Sequence, residues 1–176
     1  GVNFNNIFMN PSYVTLKDQS FQLIGKLPEI NSIMPDFIVW NNELKPVKSS
    51  ELFNGKPLLI SVTPSIDTPV CQIQTKKLRD YCRLNKNKFD FITISADTPF
   101  AQARFNESEK IGTPFYSDFK SNEFALKFGI LIKELRLCAR SVFVVDASTK
   151  IRYIELVREI SELPDYDKLF AFINEN

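Results

Sequence analysis

Leu58-Leu59-Ile60-Ser61-Val62-Thr63-Pro64-Ser65-Ile66-Asp67-Thr68-Pro69-Val70-Cys71 is the stretch from which the rest of the chain can be read. The mostly apolar run 58–62 reads as a buried strand, Pro64 opens a short turn, and a helix follows with a cysteine in its first turn. Thr68 suits the N-cap. Pro69 suits the first helical position, where its missing N–H would be unpaired anyway, and Cys71 then falls at the third. Residues 72–84 contain neither Gly nor Pro and are rich in helix formers. The sulfur is therefore expected beside unpaired backbone N–H groups and the positive end of the helix dipole, both of which favour thiolate over thiol. By position alone, Cys71 reads equally well as a nucleophile or as a small buried apolar residue.

Working outward, residues 89–96 are apolar and β-branched and read as a second core strand parallel to the first. Strand, helix and parallel strand form a crossover unit, with reactive groups expected at the carboxyl ends of the strands. Asp97-Thr98-Pro99 starts another helix, through about Phe105, by the same capping logic. On the Cys71 helix, Leu78, Tyr81 and Cys82 are spaced to share the core-facing stripe. Upstream, residues 13–24 flank the polar Lys17-Asp18-Gln19-Ser20 and read as a hairpin plugging one end of the core. Residues 37–40 read as a short strand, and 49–53 as a capped helical turn closed by Asn54-Gly55. Downstream come a short apolar piece at Phe115-Tyr116, a helix over 121–128 closed at Gly129, and a strand over 141–145. Residues 146–150 turn that strand into 151–157, and Pro164-Asp165 opens a last amphipathic helix with Leu169, Phe170 and Ile173 facing the core.

Composition narrows the chemistry. A chain of 176 residues with 44% hydrophobic residues fits one domain, placed at residues 13–176. Residues 1–12 read as an N-terminal extension, in which Gly1 is compatible with a cloning remnant and Met9 with a natural start. Lys+Arg 22 against Asp+Glu 21 gives a net charge of +1, so no general attraction to nucleic acid or an anionic membrane is expected. With neither an apolar run of transmembrane length nor a basic-then-apolar leader in view, a cytoplasmic location is expected, or a periplasmic one had a leader been removed. The absence of histidine excludes Cys-His proteases, Ser-His-Asp hydrolases and histidine metal sites. Three well-separated cysteines without C-x-x-C argue against a zinc site or a dithiol motif, and five glycines outside any phosphate-binding pattern leave no glycine-rich cradle. No metal and no cofactor are expected.

Pro64-x-x-x-Thr68-x-x-Cys71 is similar to the peroxiredoxin active-site pattern. The strings from Ser65 to Cys71, from Ile94 to Gln102 and from Ile132 to Arg140 resemble the bacterial thiol peroxidase branch of that superfamily, in the right order. The resemblance implies a thioredoxin-like α/β fold, with a central mixed sheet flanked by helices and an N-terminal β-hairpin. It also implies reduction of hydrogen peroxide or alkyl hydroperoxides, with a homodimer as the expected assembly. Cys71 would be the peroxidatic nucleophile, becoming a sulfenic acid. Thr68 would hydrogen-bond the sulfur and the peroxide. Arg140, which in the family opens the late strand, would stabilise the thiolate and the charge developing on the leaving oxygen, and Pro64 would shield the site. Singly, Thr68 reads as an N-cap, Pro64 as a turn former and Arg140 as a strand-end charge; their joint presence at family spacing favours the catalytic reading.

One departure bears on how the cycle closes. In the thiol peroxidase branch a resolving cysteine usually follows the Ala-Gln-x-Arg-aromatic string, and here Ala101-Gln102-Ala103-Arg104-Phe105 is followed by Asn106, so the usual intramolecular disulfide cannot form. Two substitutes remain. Cys82 follows Cys71 by eleven residues, about 16 Å along a continuous helix, so bonding would require unwinding. Cys138 would share a strand face with Arg140 if the strand extends that far back. An external thiol, either a thioredoxin-like protein or a low-molecular-weight thiol, is the favoured reductant. The rival readings are a redox sensor or relay in which Cys71 is an oxidisable switch with little turnover, and an inactive structural homologue.

Overall fold

The computed structural model describes residues 13–85 and 87–176; the expected N-terminal extension, residues 1–12, lies outside them. Strand β5 (Leu58–Val62) is buried at every position. Its side chains serve two cores in alternation, as a strand covered on both faces must. Leu58, Ile60 and Val62 enter the larger core, while Leu59 faces a second core beneath helix α1 (Pro69–Leu84). β5 pairs in parallel with β6 (Asp90–Ser95), so β5, α1 and β6 form the crossover unit the sequence predicts.

Around this unit lies a seven-stranded mixed sheet of order β11-β10-β5-β6-β7-β3-β4. Its other strands are β3 (Ile38–Trp40), β4 (Pro46–Lys48), β7 (Phe115–Ser117), β10 (Ser141–Val145) and β11 (Ile151–Leu156). Leu78, Phe89, Phe91, Val142, Val144 and Leu169 fill the core on one face, with α1 and the last helix, α4 (Tyr166–Glu175), above them. Phe170 and Ile173 pack against this core with Tyr81 and Cys82, as their helical spacing predicts.

The opposite face carries helix α3 (Glu123–Lys127) and a second sheet of order β1-β2-β8-β9, made of β1 (Tyr13–Leu16), β2 (Gln19–Ile24), β8 (Leu131–Ile132) and β9 (Leu137–Cys138). The expected hairpin is β1 paired with β2, and Val14 and Phe21 enter the larger core. Helix α2 (Pro99–Ser108) starts as expected, with the Ala101 N–H donating to Thr98 Oγ1 at 3.3 Å, and runs slightly past Phe105.

The sequence reading did not include the short strands β4, β8 and β9, and three further details differ. The turn at Ser49–Leu52 is 3-10 and lacks a side-chain cap: its N-cap position is held by Lys48, which has no side-chain acceptor, and the Ser49 hydroxyl accepts the Phe37 N–H at 3.1 Å. Helix α3 is shorter than residues 121–128. Asn122 before it has φ +54, and its free N–H groups are met by Asp118, which accepts from Phe124 at 3.0 Å and Ala125 at 2.9 Å. Cys138 and Arg140 do not share a strand: Cys138 ends β9 and β10 begins at Ser141.

Candidate active site

Cys71 stands at the third position of α1, where the sequence places it. The Cys71 N–H donates to Thr68 Oγ1 at 3.3 Å, making Thr68 the N-cap, and Pro69 occupies the first helical position. The Thr68 hydroxyl in turn lies 3.4 Å from the Ser65 carbonyl. Its recorded hydrogen bonds are thus to backbone, and the contact to the sulfur expected from the resemblance is not among them. Pro64 is buried at the end of β5. The loop between Pro64 and Thr68 is clamped by Asp97, whose carboxylate accepts the Ile66 N–H at 2.9 Å and the Ser65 hydroxyl at 3.4 Å.

Arg140 directly precedes β10, the antiparallel neighbour of β5, and reaches the sulfur from there. Its Nη2 lies 3.4 Å from Cys71 Sγ, and both residues are only 1% exposed. Burying a guanidinium costs several kcal/mol unless its donors are satisfied. Here Nη1 donates to Gln74 Oε1 at 2.8 Å, while Nε and Nη2 donate to the Ile160 carbonyl at 3.1 and 2.9 Å. Both holding oxygens are neutral, and among the described residues no carboxylate pairs with Arg140. The guanidinium therefore faces the Cys71 sulfur with no carboxylate to neutralise it.

Gln74 and the Ile160 carbonyl, which hold the guanidinium in place, are site groups that sequence reading missed. Gln74 is fully buried and also donates to Ser61 Oγ at 2.8 Å, tying the guanidinium's support to β5. A signal for it existed: Cys71, Gln74, Thr75 and Leu78 follow the i, i+3, i+4, i+7 rule, and all four are buried. Ile160 contributes a backbone carbonyl, for which side-chain patterns carry no signal.

The other two cysteines are placed differently. Cys82 lies in the last turn of the unbroken α1, half-buried, and burial together with the nearby Asp90 carboxylate pushes its thiol up. Cys138 is fully buried, with Sγ 4.0 Å from Asp118 Oδ2; burial first, then the Asp118 and Asp97 carboxylates, raise its thiol well above the ordinary range. Both are therefore poor thiolate nucleophiles at neutral pH. Asn106, at the position of the usual resolving cysteine, closes the turn after α2: its amide donates to the Thr113 carbonyl at 2.9 Å and its oxygen accepts the Gly112 N–H at 2.8 Å.

Burial pushes Asp118 up from 3.8 to about 6, against the opposing pull of its bonds from Ala125 and Phe124. A carboxyl whose folded pKa is raised binds its proton more tightly in the native state, so its contribution to stability is greatest at low pH and falls as pH rises from the unfolded towards the folded value. Urea melts of wild type and Asp118→Asn should show the wild type losing ground by up to about 3 kcal/mol between roughly pH 4 and 7. A pH-independent difference would contradict this.

Among the described residues no group of three His, Cys, Asp or Glu side chains is arranged to hold a metal ion, and no helix is long and apolar enough to cross a membrane. The two-sided mixed sheet carries a buried cysteine at a helix mouth under a guanidinium, and residues 29–170 match the Redoxin family, which places the chain among thioredoxin-like proteins. The chain is 39% identical over 166 residues to a thiol peroxidase of Oceanobacillus iheyensis, covering 93% of this chain and 99% of that one. It is 42% identical over 158 residues to a thiol peroxidase of Bacillus subtilis, covering 88% and 92%. A crystal structure of a peroxiredoxin-like protein from Aquifex aeolicus superposes with a TM-score of 0.85 at 33% identity, covering 94% of this chain and 98% of that one. A thiol peroxidase from Chromobacterium violaceum shares the fold, with a TM-score of 0.86 at 20% identity and coverage of 95% and 98%. The chain belongs to the peroxiredoxin superfamily, in its bacterial thiol peroxidase branch.

Proposed function

We propose that the protein is a thiol-dependent peroxidase acting through Cys71 on hydrogen peroxide or alkyl hydroperoxides. The observation that carries this is the Arg140 guanidinium 3.4 Å from a sulfur seated in the first turn of α1. The thiolate attacks the terminal peroxide oxygen, the O–O bond breaks, and the departing oxygen leaves with the bonding pair and takes a proton, giving Cys71 sulfenic acid and water or an alcohol. Arg140 steadies the negative charge as it passes from sulfur to the leaving oxygen. Thr68 serves the reaction by turning its hydroxyl from the Ser65 carbonyl to the bound peroxide, and Pro64 keeps water from the sulfur. Because Cys71 is buried, entry of peroxide requires the loop over residues 64–68 to part from Asp97.

The cycle closes with an external thiol. A reductant thiolate attacks the sulfenic sulfur, water leaves, and a second thiol releases the mixed disulfide. Asn106 in place of the resolver, and the raised thiols of Cys82 and Cys138, support this route over an internal disulfide. The reductant is a thioredoxin-like protein or a low-molecular-weight thiol, and the working form is a homodimer in the cytoplasm. Exposed Ile73 and Phe100, in the early turns of α1 and α2, offer apolar surface for a second copy.

Steady-state peroxide consumption with each thiol is the test. Turnover is expected for wild type, Cys82→Ser and Cys138→Ser, and none for Cys71→Ser. A single rapid oxidation of wild type with no turnover on any thiol would replace the enzyme by a redox sensor.

A further inference from the structure

The Ile160 carbonyl takes two of the four recorded hydrogen bonds of Arg140, so whatever fixes that carbonyl also fixes the guanidinium. Ile160 sits in a strap after β11 that is stitched to strand β1. The Thr15 N–H donates to the Arg158 carbonyl at 2.8 Å, and the Ile160 N–H donates to the Thr15 carbonyl at 2.8 Å, forming a parallel bridge between Thr15 and Glu159. Side chains close the stitch. Thr15 Oγ1 donates to Glu159 Oε1 at 3.0 Å, while Glu159 Oε2 accepts from the Ser161 N–H at 3.0 Å and its hydroxyl at 2.6 Å. The Glu159 carboxylate therefore ties β1, through Thr15, to Ser161, the residue that follows Ile160. The Arg158 guanidinium lies over the Tyr13 ring at 4.2 Å, adding a contact from the same strand.

We infer that the N-terminal hairpin is part of the catalytic apparatus, with Thr15 and Glu159 acting as positioning residues that hold the Ile160 carbonyl, and through it Arg140, over Cys71. This inference rests on the peroxidase reading and deepens it. The arrangement has a physical logic: a carboxylate in direct contact with Arg140 would neutralise the charge the sulfur needs. Here the carboxylate of Glu159 pins the strap from outside, and only a neutral carbonyl meets the guanidinium. A shift of the strap would move the donor that faces the sulfur, and misplacement of a catalytic group by about 1 Å can cost a hundredfold in rate.

The test is a double-mutant cycle on the second-order rate of Cys71 oxidation by hydrogen peroxide, with urea melts alongside. Thr15→Val and Glu159→Ala should each slow oxidation by about tenfold while remaining folded, and Glu159→Gln, which keeps one acceptor, should lie between Glu159→Ala and wild type. In an Arg140→Lys background the same changes should have almost no further effect, because the group they position is gone. Unchanged rates in Thr15→Val and Glu159→Ala, or losses that simply add to that of Arg140→Lys, would overturn the inference while leaving the peroxidase reading intact. An Arg140→Lys protein as fast as wild type would overturn it too, whereas a wild type whose Cys71 resists hydrogen peroxide would remove the peroxidase reading beneath it.

Discussion

Arg140→Met is expected to slow oxidation of Cys71 by hydrogen peroxide between about a hundredfold and a thousandfold, the range associated with removing one donor from a charge-stabilising site. Methionine approximates the length of the side chain and removes its charge. The sulfur then loses the Nη2 donor at 3.4 Å, and the leaving oxygen loses the cation that would meet it. Global stability should change much less, because replacing a buried charge by an apolar group also removes its desolvation cost. The Gln74 amide oxygen and the Ile160 carbonyl left behind set a modest penalty against that gain. Arg140→Lys should also fall well short of wild type, since one ammonium on a flexible stem cannot span Gln74, Ile160 and the sulfur at once. Rates read against urea midpoints separate the chemical effect from unfolding; a Met variant that oxidises at the wild-type rate would show that the guanidinium does not assist the reaction.

The largest effect on stability is expected from Gly129→Ala. Gly129 follows α3 with φ +69, a conformation that an alanine adopts only under strain. An added Cβ would stand 2.2 Å from the Lys26 carbonyl carbon, 2.4 Å from Leu27 N and 2.6 Å from Lys26 O, all of them backbone atoms that cannot rotate away. The reciprocal contact is as tight: a Cβ on Gly25 would meet the Leu126 carbonyl oxygen at 2.3 Å. The exit of the hairpin and the exit of α3 therefore touch backbone to backbone. Gly129→Ala should cost about 4 kcal/mol or more, at the upper end of single-substitution effects. If the hairpin positions Arg140 through Thr15 and Glu159, whatever fraction remains folded should also oxidise more slowly. A loss below about 1 kcal/mol in a urea melt would show that the two exits can separate freely.

What could be read from the sequence was what local physics encodes. The run 58–62, the cap at Thr68, the proline at position 69 and the second apolar run at 89–96 are each sufficient over a few residues, and they defined the crossover unit and placed Cys71 at the helix mouth. The two-residue strands β8 and β9 escaped because alternation needs more positions than they have, and the pairing of β8 with β2, which brings β9 in beside it, is set by distant residues. Asp118 gave no local sign that it would cap α3, since the free N–H groups it serves lie six and seven residues on. Asp97 was visible as part of a helix start, yet its carboxylate spans 31 residues back to the active-site loop, a contact only the sheet topology brings about. The support of Arg140 was least legible of all, because it runs through a backbone carbonyl and a glutamine that looks like an ordinary helix-surface residue until the burial of its stripe is known.

Everything above depends on which sulfur peroxide oxidises, and mass spectrometry after one equivalent of hydrogen peroxide reads that directly. Wild type should gain one oxygen on the peptide containing Cys71, with Cys82 and Cys138 unmodified, and Cys71→Ser should gain none. Oxygen found first on Cys82 or Cys138, or uptake that persists in Cys71→Ser, would contradict the assignment of Cys71 as the reacting group.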